Sequence, residues 1–282
     1  MIKFSRTQLQ HIGNGGVKRK RLKELAKIAA KSSFDTEYPH TYFYSEPGLG
    51  KTFTLVEALT ESKIPFMIVS GNISMFAFGL SLACIRYQFG DKPVVILVDD
   101  CDEIFKTALN VNIMKNVLDG SRVYSYEKSL QSQINNLSEF QREAIQSFSS
   151  ETRMGFEVPT DKMKFLFASN FQLPTDKDVK YAKSKGQQKA VMLSHLNAIR
   201  SRCQPADFDL DENEQWGWIA DVVLNEKCTN LSKDQNMILL DWMYSNWDMM
   251  NEHSIRTVKK MAEVMKNNPE TYRDTWEIDY LM

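Results

Sequence analysis

Residues 45–52 read SEPGLGKT: two closely spaced glycines, then a lysine and a hydroxyl residue. Those types at that spacing suit the binding of phosphate. Gly48 and Gly50 let the backbone close around phosphate oxygens with no Cβ in the way. Lys51 is long enough to reach the outer phosphates of a nucleotide, and the Thr52 hydroxyl can hold Mg2+. The stretch departs from G-x-x-x-x-G-K-[ST] at one position, where Ser45 replaces the first glycine. That glycine starts the turn, so the replacement strains the backbone without removing a phosphate ligand. The predicted nucleotide-binding segment is therefore Ser45, Glu46, Pro47, Gly48, Leu49, Gly50, Lys51, Thr52 and Phe53. A second constellation is PVVILVDDCDE, residues 93–103, an apolar run ending in Asp99, Asp100, Asp102 and Glu103. Acids crowded in this way repel one another unless a cation joins them. Asp99 is expected to hold Mg2+ through its water shell.

A phosphate loop works only if a strand delivers it and a helix leaves it, so that backbone N–H groups converge on one spot. Both elements are predicted. TYFYS (41–45) is β-branched and aromatic, and a helix follows Thr52 to about Glu61. Further strands are predicted at 65–70, 93–100 and 163–170, with helices at 74–89 and up to about Leu118. The alternation argues an α/β fold with a parallel sheet flanked by helices. Gly13, Gly15 and Gly16 predict a loop ahead of a helix over 18–31. In that helix Leu22, Leu25, Ile28 and Ala29 share a face, and the basic residues read as a solvated face, with a nucleic-acid patch the less favoured alternative. Residues 120–160 are polar and irregular, with one helical stretch near Leu137–Phe148. From about Asp211 strand-like runs disappear, and Ile255, Val258, Met261, Ala262 and Met265 form an apolar helical stripe. The expected organisation is a P-loop α/β domain, 1–207, and a small all-α lid domain, 208–282.

The 282 residues carry a formal net charge of -1, which excludes bulk electrostatic attraction to nucleic acid or membrane. No apolar run is long enough to span a bilayer, and the first residues lack the apolar core of a signal peptide. Cys84, Cys101, Cys203 and Cys228 fit no zinc or redox spacing, and the histidines are scattered. A cytoplasmic protein with reduced thiols and no membrane contact is expected.

Taken together, the motifs resemble those of an AAA+ ATPase over roughly residues 12–270. Pro47–Thr52 matches the P-G-x-G-K-T core, and Ile96–Asp102 the apolar strand with its acids. MKFLFASN (163–170) resembles the strand ending in the sensor-1 residue, here Asn170, which orients the attacking water in that family. AIRSRC (198–203) is similar to the arginine-finger segment, especially the S-R-C signature of clamp-loader subunits. The resemblance assigns Arg202, with Arg200 as a second candidate, to the γ-phosphate held by a neighbouring subunit. SIRTV (254–258) resembles sensor 2, with Arg256 near the phosphates, and HIGNGG lies where the family often contacts adenine. Asp100 takes the place of the family's catalytic glutamate. Its carboxylate is one methylene shorter, so the match to the family is weaker for hydrolysis than for binding.

The resemblance implies ATP and Mg2+ as ligands. It also implies a homo-oligomer of five or six subunits, a ring or spiral, that remodels or loads a protein or nucleic-acid complex. A nucleotide-gated assembly or loading factor with weak hydrolysis is the alternative, and a monomeric P-loop kinase a more distant one. Met75, Phe76, Phe78 and Gly79 are either a pore loop or a buried helix start. Arg122, Tyr124, Tyr126 and Lys128 are either a nucleic-acid contact or part of an exposed insertion. No collar domain is expected after the lid helix, and bare modules of this kind occur among phage-encoded members of the family.

Overall fold

The computed structural model describes residues 3–150, 155–226 and 228–281. Residues 151–154, inside the 120–160 segment, lie outside the described residues. The chain starts with α1 (Arg6–Lys31) and runs through β1 (His40–Ser45), α2 (Lys51–Ser62), β2 (Phe66–Ser70), α3 (Met75–Phe89) and β3 (Val94–Asp99). A 3-10 turn at Asp102–Phe105 leads to α4 (Ala108–Leu118), β4 (Val123–Tyr126), α5 (Gln131–Ile134), α6 (Glu139–Ser147), β5 (Phe156–Pro159) and β6 (Met163–Ser169). Then follow α7 (Asp176–Ser184), α8 (Ala190–Arg200), β7 (Cys203–Phe208), α9 (Glu212–Asn225), α10 (Lys233–Ser245), α11 (Ile255–Asn267) and α12 (Tyr272–Tyr280). No helix among the described residues is long and apolar enough to cross a membrane.

The main sheet has the order β2-β3-β6-β1-β7. Parallel registers join β2 to β3, β3 to β6 and β6 to β1, and Tyr44 lies opposite Ser169 and Asp99 opposite Ala168. The carboxyl ends of β1, β3 and β6 therefore share one edge, where ligands of open α/β sheets bind. Two compact units divide the chain. One comprises Met1–Leu25, Ser45–Glu57 and Phe208–Met282, the other Ala26–Tyr44 and Ala58–Asp207.

The second unit owes its core to strands without alternation. All of β6 is buried, and β3 is buried from Val94 to Val98. Such runs suit strands covered on both faces. The exception in β6 is Lys164, whose ammonium donates to the carbonyls of Ala29 (2.8 Å), Ala30 (3.2 Å) and Ser32 (2.6 Å). It thereby satisfies carbonyls at the C-terminus of α1 that have no intrahelical partner. Burial lowers its pKa to about 8.

Several expectations are corrected or decided. The glycines at 13–16 form no loop but lie inside α1. A Cβ on Gly15 would overlap the backbone at Gly217 and Trp218, so glycine here lets α1 cross α9 closely. The 120–160 segment is ordered where described: β4 and β5 pair antiparallel, and α6 opens on a capping box of Ser138 and Gln141. Tyr124 and Tyr126 are buried, and Arg122 donates to the carbonyls of Phe34, Thr36 and Asp161, so these three are not displayed to nucleic acid. The pore-loop residues likewise begin a packed helix. Phe78 is buried, a Cβ on Gly79 would overlap the Tyr124 ring, and Phe76 meets Tyr126 at 5.3 Å between centroids. Finally, β7 was not expected; its sequence CQPADF is polar and carries Pro205, which an edge strand tolerates.

Candidate nucleotide site

In the first unit the turn after β1 is built as a phosphate loop requires. Gly48 and Gly50 hold φ of 80° and 75°, a region that side chains other than glycine enter at a cost. The helix α2 begins at Lys51, so its free N–H groups face the end of the turn. Lys51 is buried, and its ammonium donates to the Ser45 carbonyl at 3.2 Å. Ser45 is buried and its hydroxyl donates to the Glu46 carbonyl, so it occupies the first position of the turn without blocking it. Glu46, Pro47 and Phe53 are exposed, Thr52 is half-buried and Leu49 is buried. Nest, helix end, ammonium and hydroxyl together form the donor set that a triphosphate with Mg2+ demands.

Residues of α9 and α11 brace this loop. The Ile255 N–H, opening α11, donates to the Gly48 carbonyl at 2.9 Å. A Cβ on Gly48 would overlap that of Ser254, the residue that caps α11. Trp218 in α9 is buried, and its indole N–H donates to the Leu49 carbonyl at 2.7 Å. Arg256 follows Ile255 directly and is exposed, so the sensor-2 segment and the phosphate loop are together in this unit. Trp218 carries no signal in the sequence, because no spacing rule marks an indole that reaches a loop carbonyl. Replacing it by phenylalanine leaves that carbonyl without its donor, a loss of about 1 kcal/mol or more. The expected outcome for Trp218→Phe is roughly fivefold weaker binding of a fluorescent ATP analogue. Unchanged affinity would show that the brace does not shape the loop.

In the second unit the acids sit at the end of β3. Asp99 is half-buried and its carbonyl accepts the Gly71 N–H at 3.1 Å. Asp100 is exposed, with φ of 51°, a left-handed conformation that Asp and Asn tolerate better than most residues. The Asn170 amide donates to the Asp100 carboxylate at 3.0 Å. The residue in the place of the catalytic glutamate and the sensor-1 residue are thus brought together. Asp102 is tied separately, accepting from the Ser169 hydroxyl at 2.5 Å. Cys101 is buried, and its thiol is pushed up to about 12, by burial first and then by Asp99, so it stays protonated. Among the described residues no group of three or more His, Cys, Asp or Glu is placed to hold a metal ion. An Mg2+ carried by phosphates and water needs only one or two carboxylates.

The arginines of the finger segment lie at and just beyond the end of α8. Arg200 forms a bidentate pair with Asp207 (3.4 and 2.5 Å) and also donates to the Leu173 carbonyl. Arg202 is held more loosely. It donates to the Ala198 carbonyl at 2.8 Å, lies 3.7 Å from Asp119, and its buried Nε has no hydrogen-bond partner.

A parallel sheet flanked by helices, with a glycine-rich turn joining β1 to α2 in the chain, defines a P-loop NTPase α/β fold. Residues 41–152 match the model of the ATPase family associated with various cellular activities (AAA). That similarity over residues 41–152 supports an ATP-binding P-loop ATPase module. No curated protein matches it.

Proposed function

We propose that this chain hydrolyses ATP as one subunit of a ring or open spiral, five or six copies strong, that remodels or loads a protein or nucleic-acid complex. In this reading residues 1–207 form the P-loop domain and 208–282 the lid. The observation that carries it is Arg202: a loosely held guanidinium in an S-R-C segment, beside a cavity rather than locked into an ion pair like Arg200. Ser45–Phe53 hold the phosphates, with Lys51 on the outer ones. Thr52, and Asp99 through water, would hold Mg2+, which supplies charge neutralisation on the phosphates. Asp100 takes a proton from the attacking water, oriented by Asn170, as the oxygen bonds to the γ-phosphorus and the bond to ADP breaks. Arg202, supplied by the next subunit, and Arg256, supplied by the lid, offset the charge that develops on the γ-phosphate oxygens.

A second reading, nucleotide-gated assembly with weak hydrolysis, is favoured by the shorter carboxylate of Asp100. One experiment addresses both. Mass in solution is measured by light scattering without nucleotide, with ADP and with a slowly hydrolysed ATP analogue, and phosphate release is followed in parallel samples with ATP. The expected result is growth from monomer to five or six copies with the analogue, with steady phosphate release under ATP. Assembly without release would select the second reading. A monomer under every condition would sink both.

A further inference from the structure

The second unit holds a cavity of about 680 Å3 between α4, the β4 strand and the residues after α8. Its wall mixes apolar side chains, among them Leu109, with two cations, Lys115 and Arg202. One acid, Asp119, lies between them in sequence and is already engaged. One of its oxygens accepts the N–H and hydroxyl of Ser121 (3.0 and 2.8 Å), and the other faces Arg202 at 3.7 Å. Lys115 lies one turn before Asp119, the C-cap of α4, a spacing close enough for the two to pair. Here they do not. The Lys115 ammonium instead meets two neutral acceptors, His195 Nδ1 at 2.7 Å and the Asn112 side-chain oxygen at 3.1 Å.

Lys115 is half-buried, and its pKa is lowered by burial first and then by the nearby Arg202. A cation in that position is unfavourable until an anion arrives. Lys128 and Glu127 also line the cavity; both are exposed and of opposite sign, so they leave the local excess positive. The site therefore has two converging cations, one shared acid and neutral amides. With Asp119 held by Ser121 and displaced from Arg202, both cations are open to a compact dianion such as a terminal phosphate, whereas an acidic side chain brings one charge and leaves one of them unmatched.

We propose that Lys115 is a second cation acting in trans: with Arg202 it binds the terminal phosphate of the nucleotide held by a second copy of this chain. This rests on the reading of Arg202 as a finger that acts between subunits. His195 is then a positioning residue, holding the ammonium through Nδ1 until the phosphate replaces it. In the assembly the second copy's phosphate displaces Asp119 from Arg202, and both cations face the γ-phosphate oxygens.

The test compares Lys115→Met, Lys115→Arg and Arg202→Ala in the full chain, each checked for folding by thermal melt. Two readouts are taken: phosphate release, and the concentration of slowly hydrolysed ATP analogue needed for assembly in light scattering. Lys115→Met should lower release roughly tenfold or more, in the range expected for losing one oxyanion-stabilising donor, and raise the analogue concentration needed. Lys115→Arg, which keeps the charge, should restore most of both. Mixing Lys115→Met with Lys51→Ala should recover activity, because hybrid interfaces join an intact phosphate loop to an intact Lys115. A merely structural role for Lys115 gives no such recovery. If Arg202→Ala is impaired while Lys115→Met matches the wild type in both readouts, the Lys115 assignment falls and the finger reading stands. If Lys115→Met is impaired but not complemented, whereas Arg202→Ala is, Lys115 acts within its own subunit and the assignment is again overturned. If Arg202→Ala has no effect, the finger reading fails and this inference fails with it.

Discussion

Replacing Arg202 by alanine should slow ATP turnover of the assembled protein by about a thousandfold or more, the scale on which arginine fingers act. Affinity of the isolated chain for nucleotide should barely change, because in the proposed function Arg202 serves a phosphate bound by a neighbouring copy. Stability should change little as well. The pair with Asp119 is long, at 3.7 Å, and both side chains keep contact with solvent, a geometry worth about 0–1 kcal/mol. Arg200 supplies the contrast. Its bidentate pair with Asp207 and its bond to the Leu173 carbonyl tie the end of α8 to its surroundings. Arg200→Ala should therefore lower the melting temperature more than it lowers turnover per folded chain. The decisive measurement is complementation. Chains with Lys51→Ala cannot hold nucleotide, and chains with Arg202→Ala cannot serve a neighbour; mixed, they form some interfaces with both parts intact. Phosphate release that rises on mixing places the finger in trans. No rise, with both variants folded and assembling, would move Arg202 out of the catalytic set.

The legibility of the fold follows the physics of each segment. The strands β3 and β6 could be read because they are nearly continuous apolar runs, which buried parallel strands require, and β1 and β2 because their short stretches are rich in β-branched, aromatic or aliphatic residues. The phosphate loop could be read because its chemistry is local, with ligands at fixed offsets along a few residues. The helix through Gly13–Gly16 was missed for the opposite reason. Glycine lowers helix propensity, but tertiary packing against α9 requires it at Gly15, and no local rule contains that contact. The β4–β5 pair was missed because its strands are short and separated by two helices, so nothing local specifies the pairing. Tyr124 and Tyr126 illustrate the consequence: an aromatic-basic stretch resembles a nucleic-acid contact until the hairpin turns both rings into the core. Asp100, Asn170 and Lys115 fall between these cases. The first two were named from their order in the chain, yet the hydrogen bond between them comes from neighbouring strand ends. Lys115 carried no signal, since an unmatched cation can be seen only when its neighbours are known.

Asp100→Asn should lower phosphate release by about two to three orders of magnitude, the usual contribution of a general base. It is a clean substitution for structural reasons. Asparagine tolerates the left-handed backbone at φ 51° as well as aspartate does, and its side-chain oxygen can still accept from the Asn170 amide. Only the negative charge and its proton affinity are lost. Nucleotide-dependent assembly should persist, so light scattering with ATP should detect long-lived oligomers that turn over slowly. Full activity in Asp100→Asn would exclude Asp100 as the base. Glu103 would be the next acid to test, although it is already ion-paired with Lys106. The companion variant, Asp100→Glu, sets two effects against each other. The longer side chain reaches further toward the attacking water, while a bulkier residue in the left-handed region costs about 1 kcal/mol. A rate above the wild type means that reach limits the natural enzyme, as expected of a nucleotide-gated switch. A lower rate means that the turn after β3 and the bond to Asn170 already place the shorter carboxylate well, as a working motor requires.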